Sequence, residues 1–189
     1  MKKAILALAL LSVSGVAVAA PATYEMDPGH TMVLASWSHF GFSNPSANFG
    51  ISEGTIVYDD KVPSKSSVQV TMPLANMNSF VAKFDEHLRS KDFFEASVFP
   101  VATFKSTSVK SKGKNKLEVI GNLTIKNITK PVKLDVTLNK RALNPMTRKV
   151  GVGFDATTTI KRTDFGVGMY APNVGDDVTL RITTEAYAQ

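Results

Sequence analysis

Three histidines, His30, His39 and His87, are the residues of this chain best suited to acid–base or metal chemistry, and two of them have carboxylates close by in sequence. The local sets are Asp27-Pro28-Gly29-His30 and Asp85-Glu86-His87. A metal centre needs three or more such side chains to converge, and spacings of three and two residues on turns or strands do not force convergence. No metal site and no catalytic group is therefore expected. In the first set Asp27 and Pro28 should set a turn, with His30 hydrogen-bonded inside it. The chain has no cysteine, which removes disulfides, thiolate metal sites and a thiol nucleophile. No serine stands in a Gly-x-Ser-x-Gly elbow, and no glycine-rich phosphate loop occurs. Two arginines flank apolar segments. Arg89 would either anchor a polar group at the edge of a site or bond carbonyls at the end of a short helix. Arg162 would either stand at a cavity mouth or close a turn by contact with Asp164.

The elements that must position these residues are mostly strands. Val178, Leu180 and Ile182 alternate with Thr179, Arg181 and Thr183, and Val132, Leu134, Val136 and Leu138 alternate with Lys133, Asp135, Thr137 and Asn139. Leu117, Val119, Leu123 and Ile125 repeat the pattern after a hairpin-like Lys110–Asn115. Further strands are expected at Thr31–Ser38, Gly54–Tyr58, Val68–Pro73, Val101–Val109 and Val150–Ile160. That makes about eight, an all-β antiparallel barrel or sandwich in one domain. Several segments are shorter than the roughly 9–11 residues that span a membrane, and aromatic girdles are missing, so the apolar face should point inward. The period changes once. Phe80, Phe84 and Leu88 fall four apart and are followed by Phe93 and Phe94. This predicts a short helical plug around residues 79–95 that caps or lines a cavity.

Lys2 and Lys3 precede an apolar run from Ala4 to Leu11 and then small residues ending in Ala17-Val18-Ala19. This layout reads as a cleaved export signal over residues 1–19, leaving a single domain over 20–189. The formal net charge is +6, two of it in the leader lysines. A modest basic balance favours contact with anionic membrane surfaces. The lysines are spread over polar strand faces, so no nucleic-acid partner is expected. Exposed strand edges leave a homodimer open.

The plug sequence Asp85-Glu86-His87-Leu88-Arg89-Ser90-Lys91-Asp92-Phe93-Phe94, running on to Phe99-Pro100 and Phe104, resembles the YceI-like family. So do Gly121-Asn122-Leu123-Thr124-Ile125 with Thr129-Lys130-Pro131-Val132, and Lys161-Arg162-Thr163-Asp164-Phe165-Gly166. The resemblance runs from about Tyr24 to Ala186. It implies a periplasmic, lipocalin-like eight-stranded barrel that is not an enzyme and binds a polyisoprenoid or another long-chain lipid, with no cofactor beyond that ligand.

The expected ligand contacts are Val33, Ala35 and Trp37 on the first strand, Leu88, Phe93 and Phe94 in the plug, and Phe104, Leu123, Leu134, Phe154 and Phe165 elsewhere. Arg89 and His39 are the expected polar contacts at the mouth. Ala35 stands where the family pattern has a phenylalanine, Trp37 where it has a small aliphatic residue, Ser52 where it prefers an aromatic, and Phe84 where it has an arginine. These departures should reshape the lumen, unless neighbours such as Phe49, Phe104 or Phe154 refill it. Asn122 and Asn127 depart as well, and both suit a hairpin turn. Two other functions stay open: a hydrolase of lipid amides or esters, and a filled barrel that binds another protein in a stress response.

Overall fold

The computed structural model describes residues 21–189; the expected leader lies outside them. Eleven strand segments form one antiparallel sheet: β1 (Ala22–Met26), β2 (Met32–Ser36), β3 (Ser46–Phe49), β4 (Glu53–Tyr58), β5 (Ser67–Pro73), β6 (Met77–Asn78), β7 (Val101–Ser111), β8 (Lys116–Ile125), β9 (Ile128–Leu143), β10 (Val150–Lys161) and β11 (Asp177–Ala188). The helix α1 (Ala82–Arg89) lies between β6 and β7. Eight of the strands close a ring, β1-β4-β5-β7-β8-β9-β10-β11 and back to β1. The other three prolong it. β11 pairs with β1 through Met26↔Ala186 and then with β2 through Met32↔Thr183. β1 and β2 are thus one strand interrupted by the turn Pro28–His30, and β3–β4 and β5–β6 are interrupted in the same way.

Alternation determines which face is inside. Along β11, Val178, Thr184 and Ala186 are buried and lie on the inward face with Leu180 and Ile182, while Asp177, Arg181 and Glu185 are exposed. β7 to β11 follow the expected strands, although β9 extends at both ends, from Ile128 to Leu143. β1, β3 and the two-residue β6 were not expected. β1 shows only one repeat of the pattern, Tyr24 and Met26, directly after the leader, and β3 is a four-residue run with Ala47, fully buried, and Phe49 on its inward face. Segments this short gain strand structure from their neighbours rather than from their own pattern. Ring closure also removes most of the free edges that could have paired two copies.

Two turn assignments are corrected. Lys126, not Asn127, takes the left-handed conformation between β8 and β9 (φ 55°). Asn122 lies within β8, exposed and opposite Pro131. Phe80 does not join the helical face; it precedes α1 with φ 67° and is 79% exposed. Polar turn chemistry outweighs the four-residue spacing there. The Asn78 side chain accepts the Phe80 N–H at 2.7 Å, and the Asp85 carboxylate accepts the Ser79 N–H at 2.6 Å. Hydrogen bonding to Ser79, its side chain first and this N–H second, holds the Asp85 carboxyl below its usual range.

Candidate functional site

The strands run between two ends. One end carries the hairpins around 59–66, 112–115 and 144–149; the other carries the connections 37–45, 79–100, 126–127 and 162–176. The plug is therefore one of several segments that crowd a single end. They are tied together there: Lys126 of the β8–β9 turn lies 3.6 Å from Glu95 of the plug, and His39 bridges to Val174.

Inside lies a cavity of about 300 Å³. It runs from Tyr58, Val68 and Leu117 at the hairpin end to Phe84, Phe94 and Tyr170 at the plugged end. Val33 and Ala35 line it from β2, Phe104 from β7, Leu123 from β8, Leu134 from β9 and Phe154 from β10. Phe154 meets Tyr58 edge to face at 5.5 Å. Leu88, Phe93 and Phe94 enter from the plug, and Phe94 packs edge to face on Phe49 at 5.5 Å. Trp37 and Phe165 complete the plugged end. Among the described residues no aspartate, glutamate or lysine lines the cavity, and Arg162, which does, has its guanidinium bound to backbone carbonyls. Three of the lining hydroxyls are engaged: Thr31 and Thr184 bond each other at 2.8 Å, and Ser66 takes the Asp59 N–H.

The mouth adds two histidines and a tyrosine. His39 is exposed and lines the opening. The His87 ring stands edge-on to Phe93 at 4.9 Å and to Tyr170 at 6.3 Å, with Asp92 at 3.7 Å from Nε2. Sequence reasoning missed Tyr170 and the methionines Met26 and Met72 as lining residues. The Tyr24/Met26 alternation was the available signal for Met26. Tyr170 carries no periodic signal, because it sits in an irregular connection at φ 64°.

Arg162 lines the cavity, whereas Arg89 is corrected. Arg89 is not a lining residue. Its guanidinium donates to the carbonyl of Met77 at 2.7 Å, with longer bonds to those of Leu74 and Ala75. It thus closes the turn that separates β5 from β6, rather than the end of its own helix. Arg162 makes no contact with Asp164. It is 8% exposed, and its fork donates to the carbonyls of Val167, Met169, Val174 and Gly175. Ser52 is exposed on the outer face, so its small size leaves the lumen unchanged. The first histidine behaves as expected: Asp27 accepts the Gly29 N–H and contacts His30 Nδ1 at 2.7 Å. That contact holds the Asp27 carboxyl low and the His30 imidazole high relative to their usual values.

This geometry recurs in known proteins. The YceI-like domain matches residues 24–186. Protein YceI of Salmonella arizonae is 36% identical over the full length of both chains, and a UPF0312 protein of Pectobacterium atrosepticum is 35% identical over 100% of this chain and 99% of its own. Among solved structures, Burkholderia cenocepacia BcnA superposes with a TM-score of 0.77 at 25% identity, covering 85% of this chain and 98% of that one. A polyisoprenoid binding domain from Saccharophagus degradans shares the fold alone, with a TM-score of 0.67 at 11% identity over 89% and 99% of the two chains. A full-length match to the domain, relatives above one-third identity end to end and the same closed barrel leave one conclusion: the chain belongs to the YceI-like family.

Proposed function

We propose that this protein is a periplasmic carrier or buffer for a polyisoprenoid, quinone-like or polyprenyl, or for a comparable single long-chain lipid held in the barrel lumen. The observation that carries this reading is the lumen itself: a largely apolar tunnel whose lining, among the described residues, holds no carboxylate or lysine and one arginine, Arg162, bound to backbone carbonyls, with His39, His87 and Tyr170 at its mouth end. A volume of about 300 Å³ stands at the lower end of the range for ligand pockets, which favours one slender chain over a bulky or multi-tailed lipid. The Saccharophagus domain, a polyisoprenoid binder of the same fold, supports the same ligand class.

Energetics suit loading and unloading without an energy source. A prenyl tail burying on the order of 700 Å² gains about 17 kcal/mol on leaving water. It starts in a membrane, however, where its chain is already dry, so the net gain on extraction is near zero and depends on fit and head-group contacts. Membrane contact through the mouth belongs to this reading. Phe40, Phe42, Phe80 and Val81 surround the mouth and are 50%, 93%, 79% and 56% exposed, an apolar rim of the kind that marks lipid or protein contact. Among the described residues no lumen hydroxyl is hydrogen-bonded to a histidine, so the hydrolase alternative gains no geometric support.

Native mass spectrometry on protein isolated from its own periplasm without detergent tests the reading. A stoichiometric adduct of isoprenoid or acyl mass is the expected result. A clean apo mass, with no uptake from prenyl-lipid vesicles, would overturn it in favour of the protein-binding alternative.

A further inference from the structure

The ring of strands is not sealed along its whole height. β9 and β10 pair from Val150↔Leu143 only as far as Thr157↔Asp135. Beyond that point each strand turns to its other neighbour alone. Ile128–Leu134 of β9 stays on β8, and Thr158–Lys161 of β10 stays on β11. Pro131 lies in the parted stretch, where a residue with no N–H to give a ladder is tolerated. The parting leaves a cleft of about 610 Å³ in the barrel wall.

The chemistry of this cleft is unlike that of the lumen. Lys130, Lys133 and Lys161 line it, with Thr157, the last residue paired to β9, and Thr158 and Thr159 of the freed stretch of β10. Lys161 is held by Asp177 at 3.0 Å and by Asp176 at 3.7 Å, whereas Lys130 and Lys133 have no ion-pair partner among the described residues. Asp135 and Asp164 also border the cleft. Lys130 breaks the alternation. Its register places it with the inward residues Ile128, Val132 and Leu134, yet it is exposed and lines the cleft rather than the lumen. Three residues, Val132, Ile160 and Phe165, line both spaces. The wall between the apolar tunnel and the basic cleft is thus only as thick as their side chains.

The geometry points to the parted β9–β10 seam as a subsite for an anionic group, phosphate or carboxylate, held by Lys130 and Lys133 beside the lumen so that one ligand can place its tail inside and its charged head in the wall. The subsite as a lipid-head site rests on the lumen-binding reading above. Charge-assisted bonds from two lysines should favour an anionic over a neutral head by on the order of tenfold at low salt, and the preference should shrink as salt screens it.

Hexadecyl phosphate and hexadecanol share one tail, and their affinities can be compared in the native protein and in K130Q/K133Q. The phosphate should bind on the order of tenfold tighter to the native protein. The gap should close in the variant, with hexadecanol affinity unchanged. A gap of the same size in the variant would overturn the subsite and leave the lumen reading intact. Titration with inorganic phosphate, followed by amide shifts at Thr157–Thr159, reads the cleft without the lumen. If neither tailed probe binds, the lumen reading falls. Phosphate shifts that vanish in K130Q/K133Q would then keep the seam as a site for free phosphate, and their absence would end it.

Discussion

Trp37 and Phe84 pack ring to ring, centroids 5.9 Å apart at an interplanar angle of 51°. These are two of the positions where the chain departs from the YceI-like pattern, a tryptophan in place of a small aliphatic residue and a phenylalanine in place of an arginine. The departures therefore form one contact: the plug has a phenylalanine in place of a cation where a large ring stands just after β2. Two residues earlier, in β2, Ala35 is small where the pattern is large. Bulk has moved toward the mouth, and the lumen remains hollow.

That contact predicts coupling. W37A and F84A should each destabilise, and the double variant should lose less than the sum by about 0.5–1.5 kcal/mol, measured by urea unfolding of the four proteins. Trp37 is also the sole tryptophan and lines the cavity. Its emission should shift on uptake of a long-chain lipid and stay unchanged with a head-group mimic that has no tail.

Gly121 of the Gly-Asn-Leu-Thr-Ile motif lies under Phe104. A Cβ built there would come within 2.7 Å of the Phe104 ring and of the Lys105 carbonyl. The glycine is thus a recess for a lumen-lining ring. G121A should cost about 1–3 kcal/mol by overpacking and reduce lipid capacity, and G121A/F104L should recover part of the stability. Thermal unfolding and stoichiometric lipid uptake check both effects.

Arg162 holds the 162–176 connection by four carbonyls. Replacing it by leucine strands buried acceptors at about 1–3 kcal/mol each, so R162L should lose at least about 3 kcal/mol. R162K should recover little, because an ammonium cannot reproduce the fork. Hydrogen exchange should show protection lost first around Phe165 and Val167, which the loop buries.

Two carboxylates give the pH response a sign. The Asp27 and Asp85 carboxyls are held below their usual value of 3.8, by His30 and by Ser79 respectively. Their contribution is full above that value and is lost as pH falls through the lower folded-state value. The His30 imidazole, raised above 6.5 by Asp27, contributes fully below 6.5 and loses its contribution as pH rises through the raised value. D85N should remove part of the acid-side decline in stability, and D27N should bring the His30 titration, followed by NMR, back toward 6.5.

Exposed rim residues separate docking from folding. F42S/F80S replaces two side chains that are 93% and 79% exposed and should change stability by less than about 0.5 kcal/mol. Lipid transfer from vesicles should slow several-fold if the rim rests on the membrane. Unchanged transfer would mean that loading uses another face.

The barrel was legible because period-2 alternation is strong in β8 to β11, where a strand's identity is carried by its own residues. It failed at β1 and β3, where a two-residue repeat and a run of only four residues hold too little pattern until neighbours pair with them. Of the expected contacts, the apolar residues and His39 do line the lumen; Arg89 does not. An apolar residue's place follows from parity along its strand. A cation's place depends on which carbonyls the folded chain leaves unpaired, and for Arg89 and Arg162 these come from segments up to fifteen residues away.

Residue order alone therefore establishes the all-β class, the inward apolar face and the family, because alternation and contiguous motifs are local properties of a chain. Closure of the ring, the hollow of the lumen, the Trp37–Phe84 contact and the parted β9–β10 seam exist only in the folded protein. Each depends on register between distant strands and on the volume left when their side chains meet, and no local pattern encodes either.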